Sequence, residues 1–561
     1  MSTTSTKSRR KQRSVAPSRK KDEASPSTRS IAQASGDRAE ISERAWRLSS
    51  GVILIVGALL RLYNLSLVPL HHDEGVNGNF LVTLVRNGTY QYDPQNYHGP
   101  TLYYFSALIP WIARFLGGRS FGDTYGLTTF NIRFVTAAFG ITTIWLALLL
   151  RKRLGAIGAL SAAGLIAISP GAVYLSRYFI HESLFVFFTL GIVLAALKYY
   201  DTARPLYLIL ASISAALMVA TKETWIINGP VLLIALLTTN VYLQLRSRYL
   251  GRHRSDGPSL GERLRQALDR FGGSVPIATV ALVAFTVFMV VNVLFYSSFF
   301  TNYPKGVHDA LQTLKLWSHR THEHEHPWYQ YVYWLAQEEL PLLLLAATGA
   351  LVAVWRANNR LAIFLTLWSF GLLAAYSLVG YKTPWISLNF ILPFALTGGY
   401  ALDVAYQKLR EFQQRRLFIV LVLLIVAFCG YQMYELNFVH YDDDRYPYVY
   451  AHTRRETLAM LDEIDRIAKH LDTGNETGIA IVSPDYWPLP WYFRDYKRVG
   501  YYQQIVPTTE PIVIGSMAEE EQLKATYGDR YQLVNSGLDE GAYSLRPGVD
   551  LLLYVRKDVA R

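Results

Sequence analysis

Long apolar runs recur along this chain, and they constrain its fold more than any other feature. A helix needs about 20 residues to cross the hydrocarbon core of a bilayer. Eleven segments meet or approach that length: 48–66, 129–150, 154–170, 181–199, 205–221, 224–243, 275–298, 337–355, 361–380, 386–405 and 417–434. The first is too long for a signal-peptide core, and no small-residue cleavage site follows it. A further apolar stretch, 99–117, contains Pro110 and Arg114 and is expected to lie along the interface instead of crossing. The expected fold class is an α-helical polytopic membrane protein with about 11 transmembrane helices.

The connections carry the topology. With the N-terminus inside, the connection at 244–272 is cytosolic and holds seven arginines against three acids. The connection at 406–416 holds Lys408, Arg410, Arg415 and Arg416 against Glu411. This is the positive-inside pattern. Residues 1–47 are rich in Ser, Lys and Arg and nearly free of aromatics, so they read as a disordered basic cytosolic tail. The helical body is then 48–434, and an odd number of spans leaves 435–561 outside. That last segment carries fourteen Lys and Arg against twenty-one Asp and Glu. The formal charge of +12 therefore resides in the tail and the cytosolic connections, and it reads as membrane topology, with no nucleic-acid partner. The whole-chain apolar fraction of 51% averages a greasy body with two polar ends.

Residues 435–561 differ in kind. Thr453-Arg454-Arg455-Glu456 fits a capping box, followed by an apolar face of Leu458, Leu461, Ile464, Ile467 and Leu471. The runs 478–483, 511–514 and 551–555 read as strands. An extracytoplasmic α/β domain of about 125 residues is expected, large enough for its own core. A single cysteine, Cys429, excludes an internal disulfide and any multi-cysteine metal site.

On this topology the unusual polar residues gather on the outer face. The connection after the first run holds His71-His72-Asp73-Glu74 and then His98-Gly99-Pro100. Successive outer turns hold Arg177 and His181-Glu182, then Lys222-Glu223, then Tyr381-Lys382-Thr383-Pro384-Trp385. Ionisable residues at the ends of apolar helices are costly unless paired or used. Their recurrence points to one shared site. A carboxylate can take a proton from an acceptor hydroxyl, and cations can stabilise a departing phosphate. Those are the needs of sugar transfer from a lipid-phosphate donor.

The order of Asp73-Glu74, the His98-Gly99-Pro100-Thr101-Leu102-Tyr103-Tyr104 segment, Arg133, Ser169-Pro170, Glu182 and Lys222 resembles the polytopic GT-C glycosyltransferases. That class contains protein O-mannosyltransferases and the aminoarabinose transferases of lipid A. Pro327-Trp328-Tyr329, Glu339-Leu340-Pro341, Tyr381–Trp385 and Tyr486-Trp487-Pro488-Leu489-Pro490-Trp491-Tyr492 look closer still to the flippase-activity-associated proteins of N-glycosylation loci. The resemblance implies that Asp73 is the base activating the acceptor, with Glu74 beside it as a substitute. It implies that Glu182 is a second acidic position serving metal or acceptor, and that Arg177, Lys222 and Lys382 bind the donor phosphate. His71, His72, His98, Tyr381 and Trp385 are the expected substrate contacts.

The His322-Glu323-His324-Glu325-His326 run stands out locally. Alternation on a strand puts His322, His324 and His326 on one face, where with Glu182 they could ligate a divalent metal such as zinc. A solvated, pH-sensitive segment is the other reading. The aromatic segment 485–495 suits either sugar docking or an interface between domains.

The expectation is a glycosyltransferase of the plasma (inner) membrane. It would move a sugar from a polyprenyl-phosphate donor to a glycan, lipid or protein acceptor, with inversion. A non-catalytic accessory of lipid-linked glycan flipping or assembly is the alternative.

Overall fold

The computed structural model describes residues 1–2, 41–96, 98–118, 126–249, 274–319, 324–534, 537 and 541–559. The expected basic tail falls almost wholly outside them, as do most of the arginine-rich connection 244–272 and His322. Residues Ile41–Arg561 form one compact unit.

Eighteen helices matter here. They are α1 (Glu43–Leu62), α2 (His72–Asn87), α3 (Thr101–Gly117), α4 (Thr129–Leu148), α5 (Ala156–Ile168), α6 (Pro170–Ser176), α7 (Glu182–Thr202), α8 (Pro205–Val219) and α9 (Trp225–Tyr249). There follow α10 (Ser274–Tyr296), α11 (Lys305–His319), α12 (Gln330–Glu338), α13 (Leu340–Arg356), α14 (Arg360–Leu378), α15 (Leu388–Lys408), α16 (Phe412–Tyr434), α17 (Glu456–His470) and α18 (Glu520–Tyr527).

Among the described residues, eight helices are long and apolar enough to cross a membrane: α1, α4, α7, α9, α10, α14, α15 and α16. Two bent pairs, α5–α6 and α12–α13, raise the number to ten if each is one span. The fifteen-residue α8 is apolar but shorter than that length. These account for the eleven expected segments, with the difference that three are broken or short. The stretch 99–117 is a helix, α3, and is not among the candidate spans. Helix α10 packs on α8, where Ser212 Oγ donates to the Ala284 carbonyl, and turns Leu282, Phe285 and Val290 outward, which suits a lipid contact.

The break at Pro170 has an identifiable cause. Pro170 lacks an N–H, so α5 ends before it and the chain turns by 60°. The carbonyls this frees cannot be left bare in hydrocarbon. The fully buried Arg61 of α1 reaches them, donating to the carbonyls of Ile166 (2.9 Å) and Ala167 (3.1 Å), and crosses the break to the Ala172 carbonyl of α6 (3.3 Å). Glu339, at the 114° corner between α12 and α13, accepts from Ser169 Oγ (2.6 Å) and Gly171 N (2.8 Å). One carboxylate thereby ties the two corners together. Helices α5 and α15 approach closely through glycines: a Cβ on Gly399 would lie 2.4 Å from the Gly158 carbonyl oxygen.

The C-terminal sheet contains β1 (Gly478–Ile481), β2 (Arg498–Tyr501), β3 (Ile512–Ser516), β4 (Tyr531–Leu533), β5 (Tyr543–Arg546) and β6 (Val549–Arg556). Its order is β2-β1-β3-β6-β4, with β5 also paired to β6. The first three strands are parallel and β6 is antiparallel to β3. The expected strands are β1, β3 and β6, each carrying fully buried residues. Helix α17 buries Met460 and Ile464 against this sheet. The expected capping box does not form. The cap position is Arg455, whose N–H donates to Asp442 Oδ2 at 2.9 Å, and Thr457 Oγ1 donates to the Ser544 carbonyl.

Candidate functional site

A cleft of about 250 Å³ opens where the connection after α1, the α8–α9 turn and the segment before α15 converge. Its wall includes His72, Asp73, His98, Lys222, Tyr381 and Trp385, which were expected as one site. His324 joins them. Residues separated by more than 300 positions thus meet around one space.

Asp73 owes its setting to a cap. His71 is the N-cap of α2: its Nδ1 accepts from Asp73 N at 3.0 Å, and its Nε2 lies 3.2 Å from the Tyr450 carbonyl. This fixes the tautomer, since the nitrogen that accepts cannot carry the proton. Burial pushes the His71 pKa down despite the nearby carboxylates of Asp73 and Glu74. His71 is therefore a neutral structural cap, not the substrate contact expected of it. The Asp73 carboxylate, 37% exposed, stands in the first turn of α2, where the helix dipole favours its charge. Burial also lowers the His72 pKa, with Asp73 opposing.

Glu74 is not a second base. It is fully buried, and Oε1 and Oε2 accept from Arg133 Nε (2.7 Å) and Nη2 (2.6 Å). It also accepts from the backbone N–H groups of His71 (3.0 Å) and Phe179 (2.7 Å). The remaining Arg133 donors go to the carbonyls of Leu65, Val68 and Pro69. All five guanidinium N–H groups are thus engaged, so the pair is a buried clasp between α4 and the start of α2.

Arg177 and Lys382 likewise serve the backbone. Arg177 donates to the carbonyls of Leu60, Arg61, Tyr63 and Asn64, satisfying the C-terminal end of α1, and its guanidinium lies 4.8 Å from the Phe438 ring centroid. Lys382 is 1% exposed and donates to the carbonyls of His326 and Val379. Burial lowers its pKa. Neither cation lines the cleft. Lys222 does, and it is ion-paired with the buried Glu182 behind it.

The expected metal set is not assembled. Among the described residues, no group of three or more His, Cys, Asp or Glu is placed to hold an ion. Glu182 is committed to Lys222. His324 has φ +51°, a left-handed turn that breaks the strand alternation on which the shared face depended. Its Nδ1 lies 2.8 Å from Tyr450 Oη, whereas the His326 ring packs against Trp334. The short run instead pairs with the segment 380–382: His326 N donates to Gly380 O, and Lys382 N to His324 O. That pairing delivers Tyr381 and Trp385 to the cleft.

Glu223, beside Lys222 at the same outer turn, also lines the cleft, and the two adjacent charges are the sequence signal for both. Its Oε2 is 3.0 Å from His98 Nδ1. Burial opposes its ionisation, but His98 and Lys222 outweigh this and hold its pKa below the ordinary carboxylate value. Glu223 also lines a second, mostly apolar cleft of about 230 Å³ between α9, α10 and α11, walled by Trp225, Phe288, Met289, Tyr296 and Leu311.

The aromatic segment of the sheet domain docks on the helix that carries Asp73. Pro488 and Trp491 lie over Gly75 and Gly78, one turn apart, where an added Cβ would come within 2.5 Å and 2.6 Å of them. Tyr492 Oη accepts from Leu70 N at 2.8 Å. Arg86 pairs with Asp495. Trp491 is 1% exposed, so Trp491→Ala should cost about 3–5 kcal/mol. The expected result is a clear fall in the unfolding midpoint of the detergent-purified protein. An unchanged midpoint would mean that this contact is not made.

The comparisons with known proteins agree with this architecture. The family model described as dolichyl-phosphate-mannose-protein mannosyltransferase matches residues 108–252. None of the curated proteins matches the sequence. Among solved structures, ArnT from Cupriavidus metallidurans bound to undecaprenyl phosphate superposes with a TM-score of 0.54 at 14% identity, over 91% of this chain and 98% of that one. Its apo form gives 0.52 at 16%, over 90% and 97%. The Archaeoglobus fulgidus oligosaccharyltransferase tethered to an acceptor peptide gives 0.50 at 15%, over 85% and 70%.

Proposed function

We propose, for a chain whose fold is that of the GT-C glycosyltransferases, that it transfers a sugar from a polyprenyl-phosphate donor to an acceptor hydroxyl or amide. The observation that carries the reading is the cleft itself. A partly exposed carboxylate, Asp73, faces the same space as Lys222 and His98, and an apolar cleft adjoins that space through Glu223. An amphiphile with a charged head and a prenyl tail fits such a junction. The undecaprenyl phosphate bound to ArnT is a lipid of this kind.

In this mechanism Asp73 takes the proton of the acceptor. The acceptor atom attacks the anomeric carbon as the bond to the phosphate oxygen breaks, and one direct displacement inverts the configuration. The electron pair of that bond leaves on the phosphate, next to the cationic side of the cleft. The cleft lies on the extracytoplasmic side of the plasma membrane in this reading, with the N-terminus in the cytosol. The sheet domain stands on that same outer side.

The full chain reconstituted in liposomes, with labelled polyprenyl-phosphate hexoses and acceptors extracted from envelope fractions, tests this. Label should pass from one of these donors to an acceptor. No transfer from any of them, together with altered exposure of lipid-linked glycans in a deletion strain, would overturn the enzyme reading in favour of an accessory role.

A further inference from the structure

Four ionisable groups line or back one wall of the cleft, and they come as two couples. Lys222 is paired with Glu182, which lies behind it. His98 is paired with Glu223. The second couple differs from the first in position. His98 is 21% exposed and belongs to the polar cleft, whereas Glu223 is 3% exposed and is shared by the polar and the apolar clefts. The couple therefore stands where polar lining gives way to apolar lining. The head of a phosphate-bearing amphiphile would come to rest there.

The backbone around this couple is fixed. Gly99 N donates to the Thr221 carbonyl at 3.0 Å, and Thr101 Oγ1 bonds Thr221 Oγ1 at 2.8 Å. A Cβ on Gly99 would lie 2.0 Å from the Ala220 carbonyl oxygen, so at Gly99 the two segments meet backbone to backbone. The buried His181 packs with its ring centroid 4.9 Å from that of His98, tilted by 45°, and bonds the Gly99 carbonyl through Nε2. These contacts leave His98 little freedom to turn. An imidazole held at one nitrogen by a carboxylate has its tautomer and ring orientation set, and the other nitrogen becomes a directed donor.

We propose that Glu223 is a positioning residue that holds His98 so that its Nε2 donates to a phosphate oxygen of the lipid donor and of the lipid phosphate left after transfer. This rests on the donor class proposed above. No bond is made or broken by the couple. Asp73 takes the acceptor proton, the electron pair of the broken bond stays on the phosphate, and His98 contributes a charge-assisted hydrogen bond that strengthens as charge accumulates there. The wall needs its carboxylate occupied at this point, because a bare Glu223 facing the space of the phosphate would repel it. The hydrogen bond from His98 Nδ1 engages the Glu223 carboxylate and turns it away from that space.

The test separates phosphate recognition from mere integrity of the fold. The full chain in detergent is titrated with undecaprenyl phosphate and with undecaprenol, which share a tail and differ in the head. The wild type should prefer the phosphate. His98→Gln and Glu223→Gln should each lose about tenfold or more of that preference, the size of one hydrogen bond to a charged group. Both should keep their affinity for undecaprenol. The double variant should lose no more than either single one, because the two side chains act as a unit. Should Glu223→Gln fail to assemble, Glu223→Asp is read in the same way, since it keeps the charge but withdraws it by a methylene. A variant that retains the wild-type preference, or a double variant whose losses add, would overturn the positioning role alone. A wild type with no preference for the phosphate would overturn the proposed donor class itself.

Discussion

On the proposed function, Asp73→Asn should lower sugar transfer by about 10²–10⁴-fold, the usual contribution of a positioned general base. The substitution keeps the size of the side chain and its place in the first turn of α2, so the cap at His71 persists. Binding of the lipid donor should change by no more than a few-fold, because the phosphate-facing groups are on other segments. The measurement is single-turnover transfer in liposomes alongside donor titration. Transfer at the wild-type rate would remove Asp73 from the chemistry. Equal losses in binding and rate would mean that Asp73 holds the substrate and does not activate it.

Arg133→Leu should be the most damaging substitution in the helical body. It leaves Glu74 ionised and fully buried without its partner, and it strands the carbonyls of Leu65, Val68 and Pro69. Breaking one side of a buried ion pair costs about 3–5 kcal/mol. The expected result is loss of the monodisperse peak after solubilisation, or a strongly lowered unfolding midpoint. Combining it with Glu74→Gln removes the stranded charge and should recover part of the loss. Full stability of the single variant would show that the clasp is dispensable. The two neighbours should therefore differ: Asp73→Asn should cut turnover in a well-folded protein, whereas removing the arginine of Glu74 should cost the fold itself.

That contrast was not legible in the sequence. Asp73 and Glu74 are adjacent acids, and nothing local says which one turns inward. The answer lies in Arg133, 59 residues away, whose fork meets Glu74. The same holds for the cations. Arg177 and Lys382 stand at outer turns, as Lys222 does, yet the first two are spent on carbonyls at helix ends and only Lys222 reaches the cleft. Hydropathy placed the helices because their length is set by the bilayer, and β1, β3 and β6 were visible as apolar runs. The corners at Pro170 and Glu339 fall at the ends of the apolar runs 154–170 and 337–355, and hydropathy marks where a run stops without showing that a second helix continues it at an angle. The left-handed turn at His324 leaves no mark in the alternation of His and Glu, so the sequence pattern alone suggests a strand there. Glu223 was within reach, since its charge sits beside that of Lys222, but its partner His98 is 125 positions away.

The seat of Pro488 and Trp491 on Gly75 and Gly78 bears on how such a protein can be rebuilt. The two glycines work only opposite a ring pair that fills the space they leave, and the ring pair finds no seat on a helix with side chains there. The outer domain is therefore not an interchangeable module. A chimera that grafts the sheet domain of a relative onto this helical body would set foreign residues against the helix of Asp73 and displace its first turn. Exchange should succeed only when His72–Asn87 and the segment 487–495 travel together as a single cassette.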